Sequence, residues 1–363
     1  MTQTQAPSGT EAAAGQPRFE IAPGPHVVEQ ETTTRRMMAD VLIGLVPLAA
    51  AATIVFGLHA LMQLGICIAG CVLAEAIFTR MRSRPATVGD LSAVVTGAIL
   101  ALSLPWSAPW YVGGVGSFVA IGIGKIVFGG LGNNIFNPAM VGRAFAMMAW
   151  PGALAAAGYL YTDATASGSA LNVILGWLGI SYQPWAAAVD VMSQATPLTA
   201  LRQAPGAGGP DWALLGRLVL GNTNGSLGET SAVAALVGGA YLCVRRTASW
   251  QIPASMILAA AVVAGAVNAF APQASWTALH HLAGGAMLFG AFFIATDPVT
   301  SPLTSRGKWI FGAGVGVLVM LMRTMSAYPE GVMFSVLLMN ALVPLINRST
   351  IPRPVGGPAP QET

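Results

Sequence analysis

The chain has 363 residues, 54% of them apolar and only 9% charged, with a formal net charge of +3. An average soluble domain carries about a quarter charged residues. So few charges cannot cover a soluble globule of this length, and the mean hydropathy of +0.65 points to an integral membrane protein. The small net charge and the lack of a long basic run argue against nucleic acid as a partner.

Residues 1–25 are rich in Ala, Gly, Pro, Thr and Gln and hold no apolar core segment. They read as a disordered tail rather than a signal peptide. A bilayer core takes roughly 20 apolar residues per helix. Ten candidate spans follow, at about 37–57, 60–79, 88–104, 109–128, 138–155, 229–245, 251–270, 276–295, 308–327 and 329–347. The third is short, and Pro151 should end or kink the fifth. The expected architecture is an all-α membrane protein of about ten transmembrane helices in two inverted five-helix repeats. The first repeat covers 26–155 and the second 229–347. A long loop over 156–228 separates them, and 348–363 form a tail.

Orientation follows from Lys and Arg. Arg35, Arg36, Arg80, Arg82, Arg84, Lys125, Arg143, Arg245, Arg246, Arg306, Lys308, Arg348 and Arg353 all fall on one side of a ten-span chain. The opposite short loops carry none. Both termini are therefore expected in the cytoplasm, and the 156–228 loop outside. An internal similarity supports the count. "VVTGAILALSLP" (94–105) resembles "GGAMLFGAFFIATDP" (284–298). Each is followed by a Gly-rich helix ending in a lone base, Lys125 or Arg323, then by a loop and a helix opened by Pro138 or Pro329. Two halves of five spans have opposite topology, the plan of many transporters.

Several chemistries have no sequence support. No Walker A order is present, so ATP is not the expected driver. Neither GxSxG nor HExxH appears. Cys67, Cys71 and Cys243 lie in apolar runs without metal-ligand spacing, and the adjacent His280 and His281 point to different helix faces. Glu75 is the one ionisable residue well within a span. It reads either as a structural partner for nearby arginines or as an ion-pathway group. Asp40, Asp90, Glu229 and Glu330 sit near helix starts, where a carboxylate suits the dipole. The segments "FGGLGNNIFNPAMVGRAF" (128–145) and "ATDPVTSPLTSRGK" (295–308) place small polar residues at membrane depth. Irregular backbone there must be buried in protein or line a cavity. Asn137 can cap a helix begun by Pro138.

The stretch "DVMSQAT" (190–196) resembles the flavinylation motif Asp-x-x-Ser/Thr-x-Ala-Thr. Val191 and Gln194 stand where small residues are usual, whereas Asp190, Ser193, Ala195 and Thr196 are kept. Further matching segments are "APGPHVVEQETTTRRMMADVLIGLVPL" (22–48), "GGLGNNIFNPAMVGRAF", "GNTNGSLGETSAVAALVGG" (221–239) and "DPVTSP" (297–302). Together they make residues 22–348 similar to a family of redox-pump membrane subunits. That family holds the D subunit of the Rnf electron-transport complex and its sister, the B subunit of the sodium-translocating NADH:quinone reductase. The short arm before the first span fits the Rnf member better.

The resemblance implies FMN joined through its phosphate to Thr196 by a flavin transferase, with Asp190, Ser193 and Ala195 completing the motif. A second, non-covalent flavin (riboflavin) is implied in the membrane domain. Asn137, Arg143 and Asp297 are its expected neighbours. The implied activity is electron transfer between ferredoxin and NAD⁺ coupled to Na⁺ or H⁺ translocation. The A, B, C, E and G subunits of the Rnf complex are the implied partners, in the bacterial inner membrane. The chain has no NAD or ferredoxin site of its own and is not catalytic alone. Two other readings stay open: the sister quinone-reductase subunit, and a non-redox channel or transporter of the same fold.

Overall fold

The computed structural model describes residues 20–21, 27–28, 33–82, 88–155, 198, 212–220, 225–270, 276–326 and 330–351. The motif residues Asp190, Ser193, Ala195 and Thr196 lie outside the described residues.

A two-residue hairpin, Glu20–Ile21 with Val27–Val28, precedes the helices. The first half then runs α1 (Thr34–Phe56), α2 (Leu58–Met81), α3 (Ser92–Ser103), α4 (Trp110–Ile121), α5 (Pro138–Ala149) and a short α6 (Pro151–Ala155). After α7 (Trp212–Leu220) the second half runs α8 (Ala232–Val244), α9 (Gln251–Phe270), α10 (Ala278–Ala283), α11 (Met287–Phe289), α12 (Ser305–Met325) and α13 (Val332–Thr350). Among the described residues, α1, α2, α9, α12 and α13 are long and apolar enough to cross a membrane. Three shorter apolar helices, α3, α8 and α4 with its extension to Ile126, accompany them. The protein is a multi-pass α-helical membrane protein.

Pro151 opens α6 directly after α5 ends at Ala149, the break expected of a proline that cannot continue the ladder. The eighth expected span is not one helix. Gly285 takes φ +67°, a left-handed conformation that suits glycine, and it separates α10 from α11. A π-helical turn over Gly290–Ile294 completes the segment, as Gly122–Ile126 completes α4. The third span shortens because Leu91 adopts φ 66° and the regular helix begins only at Ser92.

Packing repeats in the two halves. In the first, α4 lies against α2 and α5; in the second, α12 lies against α9 and α13. The halves meet where α1 packs on α8 and α5 on α13. Lipid gives apolar side chains no reason to prefer protein, so close backbone approach at small residues carries helix association. Gly44 and Gly238 form the α1–α8 crossing, where a Cβ on Gly238 would overlap the Gly44 carbonyl oxygen. A Cβ on Gly142 of α5 would lie 2.5 Å from the Gly116 carbonyl oxygen of α4. Gly97 of α3 similarly meets the α2 backbone at Cys67 and Ile68.

Candidate functional site

The bundle has two ends, the near end at the start of α1 and the far end opposite. At the near end Asp40 of α1 is held by three residues at the end of α8. Tyr241 Oη donates at 3.1 Å, Arg245 Nε at 3.3 Å and Thr247 Oγ1 at 3.2 Å. Asp40 therefore ties α1 to α8 through side-chain donors rather than simply facing its own helix dipole.

Two loops meet beside this tie. Pro138 starts α5, and Asn137 caps it, its Oδ1 accepting from Ala139 N (3.0 Å) and Met140 N (3.3 Å). Its Nδ2 donates to Ile294 O (3.2 Å), the last residue of the π turn in the other half. Asn340, with its amide oriented to satisfy its neighbours, accepts from Asn137 N (3.1 Å) and donates to Thr300 O (3.2 Å). Asp297 organises the second loop, accepting from Val299 N (3.3 Å) and Thr300 Oγ1 (3.1 Å). The preceding loop turns through Gly129, Gly130 and Gly132, all at φ between 95° and 120°. Only glycine adopts that region without cost.

The loops enclose a cavity of about 730 Å³, open mouth included. Val95, Ile99, Leu242, Phe292 and Phe293 give it apolar walls; Asn134, Asn137, Lys125 and Asp297 supply polar groups. Asn134 is 5% exposed. Its Nδ2 donates to Phe136 O, and its Oδ1 has no partner among the described residues. A buried acceptor left open in a pocket wall suits a ligand donor.

Lys125 is fully buried at the cavity edge. Its Nζ donates to Glu75 Oε1 (2.6 Å) and Ser92 Oγ (2.6 Å). Asp90 in turn accepts from Ser92 N (2.7 Å) and from the Ser92 hydroxyl. Glu75 is thus the partner of Lys125, and the lysine seats on the first residue of α3. Arg323 plays the matching part in the second half. It donates to His281 O and to Gly284 O (2.8 Å), carbonyls released where α10 ends.

Arg143 does not line the cavity. From the middle of α5 it pairs with Glu330, which precedes α13, its Nη1 donating to Oε1 at 3.5 Å and its Nη2 contacting Oε2. Of the three expected neighbours of a second flavin, Asn137 and Asp297 share one cavity wall and Arg143 does not. The cavity residues that sequence reasoning did not single out as such are Asn134, Lys125 and the adjacent aromatics Phe292 and Phe293. The lone lysine after a Gly-rich helix was the available signal. Leu198 is buried at the far end against Leu218 and Trp276.

A bundle of apolar helices with buried charges held by protein groups, and with a polar-floored cavity between two broken segments, is a multi-pass integral membrane protein. Residues 20–356 match the model of the NQR2, RnfD, RnfE family, and the chain belongs to that family. It is 38% identical to the D subunit of the Na(+)-translocating ferredoxin:NAD(+) oxidoreductase complex of Acetobacterium woodii, across 93% of this chain and 95% of that protein. It is 37% identical to the D subunit of the proton-translocating ferredoxin:NAD(+) oxidoreductase complex of Clostridium ljungdahlii, across 92% and 95%. It is 39% identical to the D subunit of the ion-translocating oxidoreductase complex of Halorhodospira halophila, across 93% and 95%.

Proposed function

We propose that this chain is the flavin-carrying membrane subunit of an ion-translocating ferredoxin:NAD⁺ oxidoreductase complex of the Rnf type. The observation that carries this reading is the motif "DVMSQAT" (190–196) in a chain similar, over nearly its whole length, to D subunits of such complexes. The names of those relatives favour the Rnf type over the sister quinone reductase.

In this reading the Thr196 hydroxyl holds FMN as a phosphoester, and Asp190, Ser193 and Ala195 present the segment to the transferase. A flavin so held supplies one- and two-electron redox chemistry with its ring unbonded to protein. The Lys and Arg distribution supports an outer 156–228 loop and cytoplasmic termini. The complex belongs to the inner membrane, with the other Rnf subunits supplying the ferredoxin and NAD⁺ sites.

The near-end cavity is the proposed seat of the second flavin, riboflavin. The cavity walls fit an isoalloxazine: apolar faces at Val95, Ile99, Phe292 and Phe293, and an open acceptor at Asn134 Oδ1. Asn134 would accept a ring N–H, Asn137 and Asp297 would fix the loops, and Phe292 and Phe293 would exclude water.

The ten-span, two-repeat plan is also part of this proposal. The matched packing of α2, α4 and α5 with α9, α12 and α13 supports it. So does the seating of Lys125 and Arg323 at the breaks before α3 and α11. The test is Thr196→Ala in a strain that makes the transferase. In-gel flavin fluorescence should vanish from the denatured subunit; a retained band refutes the assignment. Absorbance of the purified protein separates this reading from a bare channel.

A further inference from the structure

The near end carries a basic and aromatic patch on the outside of the second half, where the loop from α8 to α9 lies against the start of α12. Lys308 Nζ donates to Ser249 Oγ at 2.7 Å. One residue further along both segments, the rings of Trp250 and Trp309 meet edge to face with centroids 6.0 Å apart. Glycine sets this register. A Cβ on Gly312 of α12 would lie 2.5 Å from the Ile252 carbonyl oxygen of α9, so the helices cross almost backbone to backbone. Arg246 and Arg306 are exposed on the same two segments. Arg246 also takes φ 58°, a conformation that a residue with a side chain adopts at a cost. The ion pairs among the described residues leave Arg246, Arg306 and Lys308 out. The near-end carboxylates are engaged elsewhere, Asp40 by Tyr241, Arg245 and Thr247 and Asp297 within its own loop. Arg246, Ser249, Trp250, Arg306, Lys308 and Trp309 are all absent from the cavity lining.

Cations that lack carboxylate partners attract an anion. An ammonium seated on a hydroxyl holds its remaining N–H donors in one place, and indole rings suit the boundary between headgroups and acyl chains. From the patch toward the far end the surface turns apolar. Leu258 and Val262 of α9 and Ile310 and Val317 of α12 are all exposed. An acidic peptide would meet the cations but leave this strip uncovered. A phospholipid answers both, with its phosphate on the bases and its acyl chain along the strip. We propose that the patch binds an anionic phospholipid of the near-end leaflet. Lys308 and Ser249 hold the phosphate, while Arg246 and Arg306 add attraction for a negative headgroup. Trp250 and Trp309 flank the glycerol, and a chain runs along Leu258, Val262, Ile310 and Val317. A lipid held there joins the α8–α9 loop to α12 from outside the bundle.

The test places the purified whole complex in phosphatidylcholine nanodiscs that contain a trace of phosphatidylglycerol with a photoreactive group beside its headgroup. Cross-linked peptides are then mapped by mass spectrometry. The result expected is labelling of 246–250 and 306–309 by this probe, with little from a phosphatidylcholine probe of the same design. Lys308→Gln and Arg306→Gln should each lower the yield about fivefold, whereas Arg348→Gln, at an exposed base on α13, should leave it unchanged. Absent labelling, or equal labelling by the two probes, in the unaltered complex overturns the proposal, and this arm needs no variant to fold. Cross-links from these segments to a neighbouring subunit in place of lipid assign the patch to a protein partner and overturn it. An equal loss in Arg348→Gln reduces the effect to general surface charge and overturns it as well. Suppression by inorganic phosphate at constant ionic strength assigns the patch to the free ion, with the same consequence.

Discussion

Glu75→Leu removes one partner from the most deeply buried ion pair among the described residues. Lys125 and Glu75 meet at 2.6 Å with side chains 2% and 0% exposed. The ammonium also donates to the Ser92 hydroxyl, which is neutral. Without Glu75 the charge stays buried with no counter-ion, a change that costs about 3–5 kcal/mol. Lys125→Met should cost less than Glu75→Leu, because at neutral pH an ordinary carboxyl lies closer to its neutral form than an ordinary ammonium does and is the more easily neutralised on burial. The double variant, with apolar groups of similar volume, should return to within about 1 kcal/mol of the unaltered protein. Denaturant unfolding in detergent micelles, followed by tryptophan emission, gives the cycle. Single losses that add in the double variant would refute the argument that the two charges exist for each other. As a contrast, Arg245→Met breaks the Asp40 pair, whose arginine is 40% exposed, and should cost no more than about 1 kcal/mol.

Gly238→Ala should destabilise by about 1–3 kcal/mol, because its methyl group would enter the Gly44 carbonyl at the α1–α8 crossing; thermal denaturation in micelles checks this. Asn137→Ala should cost about 1 kcal/mol from the lost α5 cap and lower the amount of riboflavin released by acid from the purified protein. Arg323→Met leaves the carbonyls of His281 and Gly284 without their side-chain donor. It should destabilise by about 1–3 kcal/mol in the same unfolding assay, with Arg323→Lys falling between.

Apolar runs and their breaks were legible in the sequence because bilayer thickness and proline act locally. Pro138, capped by Asn137, and Pro151 each sit where the sequence places them. The lone bases Lys125 and Arg323 were legible as a pair, since each ends a Gly-rich helix. Their partners were not. Lys125 finds Glu75 at a separation of 50 positions, and Arg143 finds Glu330 at 187. Such pairings are set by how helices cross, which periodicity does not encode. Arg143 follows a near-end loop in the chain, yet it stands in the middle of α5 and its side chain turns to Glu330 instead of the cavity. Glu330 looked like a helix-start carboxylate; its side chain answers a guanidinium from the other half. The division of the eighth span also escaped composition, because "AGGAM" (283–287) is as apolar as its flanks. Gly285 and the carbonyls bound by Arg323 make the break.

The central claim is that Thr196 carries a flavin through a phosphoester. Intact-mass spectrometry of the subunit, produced beside an active flavin transferase and purified under denaturing conditions, tests it most directly. The account predicts a mass above that of the polypeptide by one FMN less one water, mapped by peptide fragmentation to Thr196 and lost in Thr196→Ala. A polypeptide of unmodified mass, or the increment on another residue, would contradict it.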